Sequence, residues 1–478
     1  MDLKAKATSG LKWSAIERLT TQAMQLIVML ALANMIGPKA FGLVGMLAVF
    51  IALSQVFVDA GFSAALIRKV DCTEADFATA FYFNVLVAVT CYVFLYLTAP
   101  LIAGFYQLEE LTGLLRVLGL NVVFGAFSVV QRAKLTIKMD FKTQAKASLL
   151  SVLLSSSAAI TMAYNGFGVW ALIAQMLIMS ACNSLFLMFL HPWWPNESFS
   201  KKSFNYMFGF GSKLLLSGVI DSLYKNIYQL IIGKVFSAKD VGYFTQANQI
   251  TMVPAATLTT VIQRVTYPLL SHIQHDTKRL DQAYLLTLRL AALVIFPLIV
   301  GIGAIATPFI HLVLGEQWVD SIPFVMLLCT GFMLMPIHAI NLNILQVKGR
   351  SDLFLKLEII KKSVTTVMLI IAVPLGVKAI CIGIVVQSYI ALLINTYYTG
   401  KLTTLSPIKQ LINIFPIWCF ALLSNALAYW SINKITQSYS QQLLGTIIVA
   451  ISLYFFMLVL FERDLIKQFT RLLKPIKA

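Results

Sequence analysis

Between Gly211 and Phe236 the chain reads GSKLLLSGVIDSLYKNIYQLIIGKVF, an apolar run that nevertheless holds Lys213, Asp221 and Lys225. A helix needs about 20 residues to cross a bilayer. At helical spacing Lys213, Ser217, Asp221, Lys225 and Gln229 follow one another at i,i+4, with Tyr224 and Tyr228 beside them. The result is a polar stripe on an otherwise apolar helix. Charge at the bilayer centre costs roughly 2.5–3.5 kcal/mol per residue, so such side chains face protein or a wet cavity. Two lysines could hold an anion, and Asp221 could take up a proton or a sodium ion. Alternatively, Asp221 and Lys225 neutralise each other and only help helices pack.

The first apolar run has a matching face, made by Ser14, Arg18, Thr21, Gln22 and Gln25. Together Arg18, Lys213, Lys225 and Arg264 could give a cavity positive potential. A phosphate-bearing group such as a pyrophosphate is the ligand that suits it. Arg18 could instead pair with Glu17 or snorkel toward the interface. Asp59, in VDAGFSAALIRK, is a second candidate for ion coupling; it could equally cap a bend before Gly61 or pair with Arg68. His311 and His338 lie in or near apolar runs, where a packed, hydrogen-bonded histidine is the default. His272 and His275 do not make a metal site by themselves. GxxxxGK[ST] and HExxH are absent, as is a serine or cysteine nucleophile in a recognisable frame. The expectation is a protein that is not an enzyme, with no catalytic residue, metal or cofactor, coupled at most to an H+ or Na+ gradient or the membrane potential.

The elements carrying these residues follow from composition. The 478 residues are 59% hydrophobic and 12% charged, about half the charged share of a soluble domain. The short alternating segments of a membrane barrel are missing. The pattern predicts an all-α polytopic membrane protein of roughly fourteen spans, from 13–36 through 209–236 and 243–270 to 441–461, with bends at Pro254 and Pro336. The net charge of +17 does not indicate nucleic acid, because basic residues collect on one side of the predicted spans. They cluster at Arg132–Lys146, Lys201–Lys202 and Lys348–Lys362, whereas the other side holds only Lys39, Lys234, Lys239, Lys378 and Lys434. By the positive-inside rule both termini are cytoplasmic.

The chain also repeats. KAFG at 39–42 follows the first span and KDVG at 239–242 follows the seventh; GVWA at 168–171 opens the sixth and GVKA at 376–379 the twelfth. Even-numbered blocks point the same way, related by an axis along the membrane normal, with the site at their interface. Four segments result. Residues 1–190 and 209–400 form two six-helix bundles, 191–208 a cytoplasmic linker, and 401–478 two further spans and a basic amphipathic tail. That tail sets Leu465, Ile466, Phe469, Leu472 and Leu473 against Lys467, Arg471 and Lys474.

Several runs resemble the Wzx-type polysaccharide flippases, the polysaccharide transporter family of the MOP superfamily. They are DAGFSAALIRK at 59–69, APLIAGFY at 99–106, LLRVLGLN at 114–121, QLIIGKVFSAKDVGYF at 229–244, RVTYPLLSHIQ at 264–274, LGEQW at 314–318 and KGRSDLFLKLE at 348–358. The likeness is closest to the colanic-acid, teichuronic-acid and lipopolysaccharide exporter branch and covers most of residues 1–400. It implies two bundles in a V with extra C-terminal helices, in a bacterial inner membrane. It also implies alternating access that moves undecaprenyl-pyrophosphate-linked oligosaccharide from the cytoplasmic to the periplasmic leaflet, for surface polysaccharide synthesis. The polysaccharide polymerase is a possible partner. In related lipid II flippases a first-span arginine lines the cavity, and Arg18 matches it. A second cavity arginine falls on Gln249 here, so Lys225 or Arg264 would supply the missing charge. The rival readings are a multidrug exporter of the same superfamily and a membrane enzyme acting on lipid-linked sugar. The basic lean of the embedded charges opposes the first, and the lack of a long external loop opposes the second.

Overall fold

A computed structural model describes residues 3–69 and 71–473, with side chains at 13, 14, 16–69 and 71–469. The basic residues Lys4, Lys6, Lys12, Arg471, Lys474 and Lys477, and Leu472 and Leu473 of the tail, have side chains outside the described set. The chain forms two compact units, Met1–Gly242 and Tyr243–Ala478.

Helices make up both units. The first contains α1 (Leu3–Ile36), α2 (Pro38–Asp59), α3 (Phe62–Arg68), α4 (Glu74–Tyr106), α5 (Glu110–Leu118), α6 (Leu120–Ile137), α7 (Phe141–Tyr164), α8 (Val169–Leu190) and α9 (Lys201–Val235). The second follows α10 (Ala238–His272) with α11 (Thr277–Ala304), α12 (Ala306–Phe309), α13 (Ile322–Phe332), α14 (Met335–Val347), α15 (Ser351–Ala372), α16 (Val377–Leu402), α17 (Pro407–Ile435), α18 (Tyr439–Phe461) and α19 (Arg463–Leu473). Among the described residues, eleven segments are long and apolar enough to cross a membrane. The other three expected spans form the continuous helices α9, α10 and α15, which carry more polar residues.

Local chemistry sets the breaks. Ala60 (φ 42°) and Gly61 (φ 71°) are both left-handed and separate α2 from α3. The expected bend lies there, and Asp59 accepts a 2.5 Å hydrogen bond from Ser63 beside it. Arg68 instead stacks over the Phe210 ring at 4.8 Å. Proline lacks an N–H and crowds the carbonyl four residues back. Pro336 accordingly coincides with a full interruption between α13 and α14, while α10 runs on through Pro254. Thr73 and Asp76 form a capping box at the start of α4, and Lys69 reaches Asp76 at 2.6 Å.

The repeat-matched residues take equivalent places. Gly168 and Gly376, at φ 54° and 99°, precede α8 and α16. Gly42 and Gly242 lie against each other where α2 meets the start of α10. A Cβ added to Gly42 would stand 1.6 Å from the Ala238 carbonyl oxygen, and one on Gly211 would stand 2.2 Å from that of Ala60. α2 thus meets the start of α10 backbone to backbone at one end, and the residue that caps its other end meets α9. Gly42→Ala is expected to lower the melting temperature of the detergent-solubilised protein by several degrees, since overpacking costs about 1–3 kcal/mol. Gly104→Ala, where an added Cβ meets nothing, should leave it nearly unchanged.

Candidate functional site

The stripe on α9 can be followed residue by residue. Its buried seam runs through Gly211, Ser222, Gln229, Ile232 and Gly233, against α2, α3 and α4. Each i,i+4 step turns about 40° around a helix, so a row of such residues slants across the surface. Lys213, Ser217, Asp221 and Lys225 are all exposed, but four residues further on the row reaches the seam and Gln229 is buried. Gln229 Oε1 has no hydrogen-bond partner. Tyr224 and Tyr228 are half-buried.

Asp221 and Lys225 form an ion pair at 2.7 Å, with side chains 53% and 66% exposed. Mutual neutralisation therefore occurs, but without packing: the pair stands on an uncovered face. An exposed i,i+4 pair is worth only about 0.3–0.5 kcal/mol in water, so it leaves Lys225 easily recruited by a stronger anion.

On α1 the face is divided between exposed and packed residues. Arg18 is exposed, and its neighbour Glu17 turns away to accept a 2.8 Å hydrogen bond from Ser148 on α7. Among the described residues Arg18 makes no ion pair. Gln25 donates to Met179 Sδ on α8 at 3.4 Å, so this end of the face takes part in packing. Gln22 is half-buried. Both α1 and α9 contact α2, their common neighbour. Gln249 and Arg264 belong to the second unit, on α10; Gln249 is half-buried and Arg264 exposed.

Two polar clusters escaped the sequence reading. In one, Arg132 donates to Asn183 at 2.8 Å, and Asn183 reaches the Ser148 that Glu17 holds. In the other, Lys134 is only 7% exposed and reaches both Glu74 oxygens at 2.8 Å. Trp193 of the linker donates to Glu74 at 2.7 Å, and its ring lies 4.4 Å from the Lys134 ammonium. Ser200 N–H donates to Thr79 at 2.9 Å. The segment before α9 is therefore docked on α4. Nothing in the spacing of Glu74, Lys134 and Trp193 signals that they meet. The tail agrees in part: Leu465 is buried and Lys467 exposed on α19.

Lys134→Met should lower stability by about 1–3 kcal/mol, a loss moderated by the half-exposed Glu74. Limited proteolysis across 191–200 should quicken with it. His191, beside this cluster, is held below the usual histidine range by burial and then by the Lys138 ammonium, which lies 3.2 Å from its Nε2. Folding thus favours its neutral form, and stability should fall as pH drops below about 6.5. His191→Asn should flatten that fall in a melting-temperature series.

Comparisons with known proteins agree with this architecture. Residues 31–323 match the family described as "Polysaccharide biosynthesis protein". The chain is 28% identical over 347 residues to the teichuronic acid biosynthesis protein TuaB of Bacillus subtilis (strain 168), covering 72% of each chain. It is 27% identical over 399 residues to the lipopolysaccharide biosynthesis protein WzxC of Escherichia coli (strain K12), covering 83% of this chain and 80% of that one. Among solved structures, the lipid II flippase MurJ in an inward closed conformation superposes with a TM-score of 0.76 at 16% identity. The match covers 95% of this chain and 99% of MurJ, which establishes a shared fold.

Proposed function

We propose that this chain, which belongs to the polysaccharide biosynthesis protein family, is a flippase for lipid-linked oligosaccharide. It would carry undecaprenyl-pyrophosphate-linked repeat units across a bacterial inner membrane by alternating access, with both termini cytoplasmic, for surface polysaccharide synthesis. The repeat of 1–190 and 209–400, joined by 191–208 and followed by 401–478, is the frame for that motion. The observation that carries the reading is the uncovered Lys213, Asp221 and Lys225 stripe on a helix otherwise rich in apolar residues. Exposed charge on a membrane helix belongs against water or a polar ligand.

Arg18 and Lys225 hold the pyrophosphate, with Lys213 adding positive potential. Gln22, Gln25, Tyr224, Tyr228, Gln249 and Arg264 contact sugar or phosphate. Asp221 competes with the ligand for Lys225: when phosphate arrives the exposed pair opens, and when it leaves the pair closes again. Asp221, and less directly Asp59, are the carboxylates through which an H+ or Na+ gradient would act. An apolar groove of about 620 Å³ in the second unit favours a substrate with a hydrocarbon tail. It is lined by Leu293, Pro297, Ile447, Ala450, Ile451 and Phe455, among others. A polymerase taking the flipped unit is the partner expected; the chain itself does no covalent chemistry. A multidrug exporter remains the second reading, favoured only by the shared superfamily. Membrane-embedded charge that leans basic is a poor host for cationic drugs.

Lys225→Ala and Arg18→Ala should each cut export of repeat units about tenfold, the loss expected for one charge-assisted contact. Protein level should hold, with single units accumulating on the inner leaflet. Normal export by both variants would remove the anion site. Units stalled on the outer leaflet would point to polymerisation, and export of cationic dyes with intact polysaccharide to the second reading.

A further inference from the structure

The lysine-bearing ends of α15 and α16 make a cluster that plays no part in the flippase reading. The two helices are joined by the short turn at 373–376 and pack side by side, so the first turns of α15 stand beside the last turns of α16. There Lys401 lies 4.5 Å from the centre of the Tyr397 ring and 5.8 Å from that of Tyr398. Lys356 of α15 lies 5.8 Å from the same Tyr398 ring. The two rings meet edge to face, at 5.3 Å and 89°. Two ammonium groups from two helices are thus gathered around one tyrosine.

Their charge is unbalanced. Both lysines are exposed, and among the described residues neither makes an ion pair. Between Lys348 and Leu402 the chain has two acidic residues, Asp352 and Glu358. Asp352 is taken by Arg350 at 2.6 Å and Glu358 by Lys361 at 2.7 Å. Asp281 of α11, which reaches Thr404 just past α16, is buried and held by the Thr404 N–H at 3.0 Å. Like charges gathered around one ring repel unless an anion lies among them. Tyrosine faces offset only a little of that repulsion at an exposed site.

The surroundings say which anion. Lys401, Tyr397 and Leu393 follow one another at four-residue steps on one face of α16, and Val386 and Ile382 continue that face. Beyond Lys356, the same side of α15 carries Ile359, Val367 and Ile370. Tyr397 and all six of these apolar residues are exposed. A free anion gains nothing from such rows. A lipid gains from both parts, with its phosphate at the lysines and its chains along the apolar rows.

We propose that Lys356 and Lys401, framed by Tyr397 and Tyr398, hold the headgroup of an anionic phospholipid whose chains lie along the exposed rows of α15 and α16. Each ammonium brings a full charge and three rotatable donors to the phosphate. The tyrosines sit at headgroup level, where amphipathic rings belong. A zwitterionic phospholipid carries its own cation beside the phosphate, so it offers two unbalanced lysines less. The bound lipid spans two consecutive helices and so steadies that pair. The site requires nothing of the exported sugar, so its failure and that of the flippase reading are separable.

The test uses the full chain in detergent at constant ionic strength. Dioleoyl phosphatidylglycerol is the probe, and dioleoyl phosphatidylcholine is its neutral counterpart with the same chains. The melting temperature should rise saturably with phosphatidylglycerol, by about 2 °C or more, and much less with phosphatidylcholine. Glycerol phosphate, a headgroup without chains, should do little. The Lys356→Gln, Lys401→Gln double variant should need about tenfold more phosphatidylglycerol for half the effect. Lys378→Gln, at the opposite end of α16, should need no more than the parent. Equal shifts with the two lipids would overturn the proposal even if no variant folds, and a glycerol phosphate shift matching that of phosphatidylglycerol would remove the lipid as occupant. A parental response in the double variant would also overturn it, as would one in Lys401→Gln alone should the double variant not fold.

Discussion

The contact between α2 and α9 governs the first unit. Inside a bilayer, apolar side chains gain little by meeting one another, because lipid is as apolar as they are. Helices are held by close approach, where many small dispersion terms add. Gly211, Gly218 and Gly233 let α9 lie directly on α2, where Val56 and Met46 fill the middle of the seam. Once that face of α9 is committed, the rest follows by rotation. The lysine row emerges opposite the seam and slants toward it, and it ends where Gln229 is covered. The orientation of the polar groups is a consequence of where the glycines are.

Charge is handled in two ways in this molecule. Where it serves structure, it is enclosed and paired. Glu17 finds Ser148, Lys134 finds Glu74, and Arg289 on α11 finds Glu462 just before α19. Breaking such a pair leaves a stranded group, so each fixes one arrangement of its helices. The Asp221–Lys225 pair differs, being local to one helix, uncovered and weak. It imposes no tertiary geometry and so is free to exchange partners.

Fold class was legible because helical membrane proteins declare themselves through composition. The α9 stripe was legible because its period lies within one helix. Asp59 at a bend and the interruption near Pro336 could be read from local chemistry. Gln229 could not be placed, since the slant of the row matters only once the neighbouring helix is known. Nor could Gln25, whose partner Met179 is far along the chain. Pairing of Glu17 with Arg18 was only the alternative that adjacency offered; adjacent residues on a helix point about 100° apart, and Ser148 on another helix holds Glu17 instead. The buried hydrogen bonds among Tyr284, Asn341, Thr399 and Gln410 were the least accessible, because the four residues come from four helices far apart along the chain.

The 35-residue length of α9 has a mechanical consequence. At 1.5 Å per residue it measures about 52 Å, against a hydrocarbon layer of about 30 Å. Standing near upright it would outreach the oily slab, while Met207 near one tip and Gly233 near the other stay packed against neighbouring helices. A small tilt near one tip therefore sweeps the far tip through a wide arc, so the helix can act as a pointer that magnifies motion across the membrane's thickness.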